Sequence, residues 1–175
     1  MSQGDWGMAA GIRELLERYR AGAKTQREKG TYFERLCIEF LKHDPEMVQQ
    51  FEDAWTFSDW AKINGAKQAD TGIDLVAKLR NEDGYCAIQC KFYAPRHTIQ
   101  KTDIDSFFTA SGKVPFTRRL IIDTTEVPWG KNAEDALAGQ SIATSRISLE
   151  RLEQSPIDWR AYLADPRRYL RHVLD

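Results

Sequence analysis

The sequence predicts an α/β fold, a mixed β-sheet flanked by helices, and three observations predict it. Apolar residues recur at helical spacing near the amino terminus (Ile12, Leu15, Leu16, Tyr19, then Phe33, Leu36, Cys37, Phe40). Two alternating runs spanning residues 73–93 flank the turn signal Asn81-Glu82-Asp83-Gly84 and read as an antiparallel hairpin. A helical stretch then leads to Leu120-Ile121-Ile122, an all-apolar run of the kind buried on both faces, which makes a parallel crossover.

Taken in order, the first amphipathic helix is followed by a polar link over residues 23–30 and a second helix starting near Thr31. Glu34 shares a half-apolar flank of that helix with Ile38 and Leu41. Thr31-x-x-Glu34 is also a capping box, so Glu34 reads either as a cap or as an acid held over the sheet. Residues 53–60 are aromatic-rich and read as the first strand, with Trp55, Phe57 and Trp60 taken as core or strand pairs rather than platforms for bases. A loop over residues 65–72 feeds the hairpin. Beyond it, residues 98–111 form a helix with Ile104, Phe107 and Phe108 on one face and a cap at Thr102, three residues before Asp105. Asp123-Thr124-Thr125 closes the next strand as a turn. A helix over 131–138, a strand over 141–147 and short helices around Pro156 and Pro166 complete the chain. The expected organisation is an N-terminal helix and linker (1–30), a core (31–147), and a C-terminal helical cap or linker to a further domain (148–175).

Composition narrows the classes. A chain of 175 residues forms one domain with a substantial core. It shows no long apolar span and no signal-peptide pattern, so a cytoplasmic, non-membrane protein is expected. The cysteines number three, an odd count, and Cys86 and Cys90 lack C-x-x-C spacing, which reads as thiols rather than disulfides or zinc. His43, His97 and His172 have no zinc spacing. Ser111-Gly112-Lys113-Val114 lacks the first glycine and the Ser/Thr of a P-loop. With a net charge of −1 the domain should bind nucleic acid weakly unaided, although Arg96, His97 and Lys101, and separately Arg118 and Arg119, form local basic clusters.

The chemistry concentrates in the hairpin. Pairing Arg80 with Tyr85 sets Asp74 opposite Lys91 and Val76 opposite Gln89; a two-residue turn at Asp83-Gly84 moves the partner of Asp74 to Tyr93. Either register puts Asp74, Gln89 and Lys91 on one face, because side chains alternate with a period of two. Ile73, Leu75, Ile88 and Phe92 are expected to pack inward from the other face. A carboxylate, an amide oxygen and an ammonium side by side suit a hard divalent cation next to a phosphate. A bare Q-x-K on a polar strand face reads equally as a solvated sheet surface.

Those residues carry a resemblance. Gly72-Ile73-Asp74 followed by Gln89-Cys90-Lys91 resembles the Mrr-like branch of the restriction-endonuclease fold, the PD-(D/E)XK superfamily, in which Q-x-K replaces D/E-x-K. Tyr32-Phe33-Glu34, Asp103-Ile104-Asp105-Ser106-Phe107 and Trp129-Gly130-Lys131-Asn132-Ala133 extend the similarity to the N-terminal nuclease domains of Type ISP restriction-modification enzymes and related helicase-nucleases, over residues 10–160. The resemblance implies a restriction-endonuclease-like fold and an endonuclease cutting double-stranded DNA with little sequence specificity of its own. Asp74 would ligate the metal, Gln89 would occupy the second ligand position, Lys91 would be the catalytic lysine, and Glu34, the acid from the first core helix, would be a further metal ligand. The cofactor would be Mg²⁺, with Mn²⁺ as a substitute. Asp70 also fits the pattern, as a metal or substrate contact or as a turn former, the latter being favoured. Arg96, His97 and Lys101 are candidate substrate contacts. Fused helicase or methyltransferase domains are expected beyond residue 175. The alternative is a nuclease-like DNA-binding or docking module that no longer cuts, which the missing second carboxylate at Gln89 supports.

Overall fold

The structure, a computed structural model, describes residues 6–67 and 72–164. Its elements run α1 (Trp6–Gly22), α2 (Gln26–His43), α3 (Pro45–Gln50), β1 (Phe51–Thr56), α4 (Phe57–Asn64), β2 (Leu75–Leu79), β3 (Tyr85–Lys91), α5 (Lys101–Ser111), β4 (Phe116–Asp123), α6 (Lys131–Leu137), β5 (Ala143–Ile147), α7 (Leu149–Glu153) and α8 (Trp159–Ala164). The five strands form one sheet in sequence order. β1, β2 and β3 pair antiparallel, whereas β3, β4 and β5 pair parallel. The mixed sheet is the expected one, and α5 and α6 supply the two crossovers that parallel pairing requires.

Alternation along the strands builds a core on each face. Leu75, Ala77, Cys86, Ile88, Leu120 and Ile122 pack against Ile12, Leu15 and Leu16 of α1, Phe33, Leu36 and Phe40 of α2, and Leu149 and Leu152 of α7. Val76, Ala87 and Ile121 face the other way, onto Trp60, Ile104, Phe107, Trp129 and Ala133. Ile73 belongs to this second layer and not, as expected, with Leu75, because regular strand pairing starts only at Leu75 and the alternation does not extend back to it.

Several boundaries differ from expectation, each for a capping reason. The Thr25 hydroxyl accepts from the Glu28 N–H at 3.1 Å, so α2 begins at Gln26. The Thr31 hydroxyl instead donates to the Arg27 carbonyl at 3.0 Å inside the helix. Glu34 therefore lies in the body of α2 and is not a cap. The first strand stops at Thr56, whose hydroxyl accepts from the Asp59 N–H at 3.1 Å and starts α4, which Gly65 ends in a left-handed conformation (φ 67°). Trp60 is thus helical and 4% exposed, packed among Phe57, Tyr85 and Phe116, and the core reading of these aromatics holds. In α5 the start shifts to Lys101, where the Asp103 carboxylate accepts from the Gln100 N–H at 2.8 Å; the expected cap at Thr102 is already inside the helix.

The hairpin register also differs. Val76 pairs with Ala87 and Lys78 with Tyr85, so the turn is two residues longer than the longest expected. Asn81 (φ 64°) and Gly84 (φ 105°) provide its positive-φ positions. Continuing the ladder sets Asp74 against Gln89 instead of Lys91, and the Asp74 N–H donates to the Ile88 carbonyl at 3.0 Å. The displacement is even, so Gln89 and Lys91 keep their expected face, and Asp74, just before β2, joins them in one cleft.

Candidate active site

Asp74, Gln89 and Lys91 line one open cleft of about 730 Å³ between the end of the hairpin and α5. Asp74 is fixed on both sides: its carbonyl accepts from the Phe57 N–H at 2.9 Å, and its carboxylate accepts from the Cys90 N–H at 2.8 Å. The side chain thereby takes the place of the next rung of the β2–β3 ladder.

Gln89 is 3% exposed. Its amide nitrogen donates to the Gly72 carbonyl at 3.2 Å, while its side-chain oxygen is buried with no hydrogen-bond partner among the described residues. An amide oxygen stripped of water and left unpaired costs about 1–3 kcal/mol, which a cation would recover. Gly72 makes this arrangement possible. It adopts φ +85°, and a Cβ there would sit 3.0 Å from the Ser106 Oγ and 3.2 Å from the Phe107 backbone nitrogen. Only glycine lets the loop lie this close to α5 and present its carbonyl to Gln89.

Lys91 is half-buried, with its Nζ 5.7 Å from the centre of the Tyr93 ring. Tyr93 stacks on His97 at 3.9 Å between ring centres, and both reach Asp103, at 3.3 and 3.4 Å. Burial first, and then the Asp103 charge, push the Tyr93 phenol up to about 12, so it stays protonated. The Thr124 hydroxyl accepts from the Tyr93 N–H at 2.9 Å and donates to its carbonyl at 2.6 Å. Thr125 donates to Asp123 at 2.8 Å. Asp123 ends β4, and the Thr124 and Thr125 hydroxyls are spent on securing the ends of β3 and β4.

Glu34 approaches from α2, behind the sheet, and does not line the cleft. Burial first, then Cys37, Asp74 and Glu34, hold the Cys90 thiol well above its ordinary range, which places both acids electrostatically close to that residue. Among the described residues, no three His, Cys, Asp or Glu side chains converge to hold a metal ion. On the hairpin side of the cleft Asp74 offers a carboxylate and Gln89 a carbonyl oxygen, a hard donor set that fits a divalent cation keeping several waters.

The other candidates lie elsewhere. Lys101 pairs with Asp105 at 2.9 Å, His97 is engaged with Tyr93 and Asp103, and Arg96 is exposed; none lines the cleft. Asp70 lies outside the described residues. Arg118 and Arg119 sit within β4 and do not form a basic cluster: Arg118 pairs with Glu82 at 2.8 Å, and Arg119 is buried. The sequence reading missed the opposite wall of the cleft, Ser106, Thr109 and Lys113. Their i, i+3, i+7 spacing was the available signal.

A mixed sheet with helices on both faces and a polar cleft at the hairpin end defines a restriction-endonuclease-like fold. The chain belongs to the Mrr-type restriction endonuclease family, whose model matches residues 42–168. Among solved structures it is similar to the ATP-dependent Type ISP restriction-modification enzyme LlaBIII bound to DNA, at 32% identity and a TM-score of 0.64 over 77% of this chain. The chain spans 8% of the length of that enzyme. The DNA modification-dependent restriction endonuclease AspBHI shares the fold at 12% identity and a TM-score of 0.53, over 94% of this chain and 40% of its own. No curated protein matches. No helix among the described residues is long and apolar enough to cross a membrane.

Proposed function

We propose that this restriction-endonuclease-type nuclease domain is a Mg²⁺-dependent DNA endonuclease with little sequence specificity of its own, acting within a larger ATP-dependent restriction-modification or helicase-nuclease protein. The observation that carries the reading is the buried, unpartnered Gln89 oxygen beside the Asp74 carboxylate and Lys91 in one cleft. Asp74 and Gln89 would hold the ion, with Glu34 adding negative charge from behind the sheet. When bound, the cation supplies charge neutralisation at the phosphate and acidifies water. Lys91 orients the attacking water and stabilises charge developing on the phosphate oxygens as the new P–O bond forms and the bond to the sugar oxygen breaks. The similarity to a DNA-bound enzyme supports double-stranded DNA as substrate. The chain's net charge of −1 fits delivery of DNA by fused domains.

The test is nicking of supercoiled plasmid by the purified chain with Mg²⁺ or Mn²⁺. Asp74→Ala and Lys91→Ala should each abolish it; undiminished cleavage by both removes the proposal. A second reading, a docking module that no longer cuts, is favoured by the lack of a three-acid cluster among the described residues. A saturable Mn²⁺ site lost in Asp74→Ala decides against it.

A further inference from the structure

We propose that the turn joining α5 to β4 is a nucleic-acid backbone clamp, in which Lys113 binds a phosphate neighbouring the one being cut. The inference rests on the phosphodiester reading of the cleft. Lys113 lines the cleft from the wall opposite Asp74 and Gln89 and is exposed, and no carboxylate among the described residues pairs with it. A cation facing the cleft and left unpaired is available to a phosphate.

The turn is held in place. Buried Arg119 reaches behind it, donating to the Ser111 hydroxyl at 2.7 Å, the Phe108 carbonyl at 3.1 Å and the Gln140 side-chain oxygen at 2.8 Å. Its guanidinium lies at the carbonyl end of α5, where a positive charge is favourable. The Phe116 N–H closes the turn on the Lys113 carbonyl at 3.1 Å, and the Tyr85 N–H ties Pro115 to β3 at 3.2 Å. At the tip Val114 is 93% exposed, an apolar side chain with no packing role, next to the cleft and beside the cation. Such a residue fits against the sugars of a bound strand while Lys113 takes the phosphate.

The test is the salt dependence of binding to a short fluorescent duplex without divalent ion, paired with steady-state cleavage kinetics. Lys113→Ala should make the slope of log K against log salt shallower by about 0.9, the contribution of one phosphate contact. It should raise KM for cleavage with kcat unchanged. Lys113→Arg should restore both. Val114→Asp cannot disturb packing at so exposed a position and should weaken binding at least as much. Arg18→Ala, the same charge change behind the sheet, should leave the slope at its wild-type value. Wild-type slopes in both Lys113→Ala and Val114→Asp, or no duplex binding by the wild-type chain, overturn the clamp. If the slopes change as expected but no metal supports cleavage, the clamp stands and the nuclease reading fails.

Discussion

The side-chain amide of Gln89 is locked by its hydrogen bond to the Gly72 carbonyl, which commits the nitrogen and leaves the oxygen as the unpaired atom of the group. The glycine of the G-I-D motif and the glutamine of Q-x-K, seventeen positions apart, are thus one device. Gln89→Glu replaces the donor with a second acceptor facing that carbonyl. Without metal, the variant should be less stable by about 1–3 kcal/mol. Its thermal midpoint should rise further with Mn²⁺ than that of the wild type, as scanning fluorimetry across a metal titration will show.

Gly72→Ala tests the other half of the device. The substitution combines a left-handed backbone with contacts to Ser106 and Phe107 that a methyl group cannot avoid. Stability should fall by about 1–3 kcal/mol in urea unfolding. Plasmid nicking should fall further than the lost folded fraction explains, because the Gln89 oxygen is released.

Arg119 should matter to stability, although it carries no charge to the surface. Burial lowers its pKa, and the Ser111 hydroxyl, the Gln140 amide and the Phe108 carbonyl that it donates to are all uncharged. Arg119→Met leaves the Phe108 carbonyl and the Gln140 oxygen without their donor. A loss of about 2–3 kcal/mol in the urea midpoint is expected.

Asp44 should give the fold an acid limit. It is 1% exposed and caps α3 through the Glu46 and Met47 N–H groups while pairing with Arg151 and Ser155, each at 2.8 Å. Burial by itself would raise its pKa, but Arg151, Ser155 and Met47 together outweigh that and hold the carboxyl below its ordinary range. The folded value lies below the unfolded one, so the stabilisation is complete above about pH 4 and is lost as pH falls through the folded value. Asp44→Asn should be less stable at neutral pH by about 1–3 kcal/mol and should lose less on acidification, measured as urea midpoints across pH.

The legible parts of this chain were those written in periodicity. The hairpin, the buried strand at Leu120 and the helical crossovers follow from apolar spacing, and the shared face of Gln89 and Lys91 follows from alternation. What escaped depends on hydroxyl and carboxylate caps. Thr25 competes with Thr31 and Asp103 with Thr102, and only tertiary packing chooses between them, while the Thr56 cap cuts short a run that reads as strand. The α5 wall escaped for another reason: the spacing of Ser106, Thr109 and Lys113 marks a shared face, but which face of a helix meets a cleft is decided by the sheet it crosses.

The turn between β2 and β3 behaves as a parity check. Its length can grow or shrink by pairs of residues, sliding one strand past the other, and the acid, the amide and the ammonium still emerge on the cleft side. A single inserted or deleted residue would turn β3 over against β2 and send Gln89 and Lys91 into the opposite layer, away from Asp74. Loop variants at residues 80–84 should therefore sort into working and dead proteins by whether the change in length is even or odd.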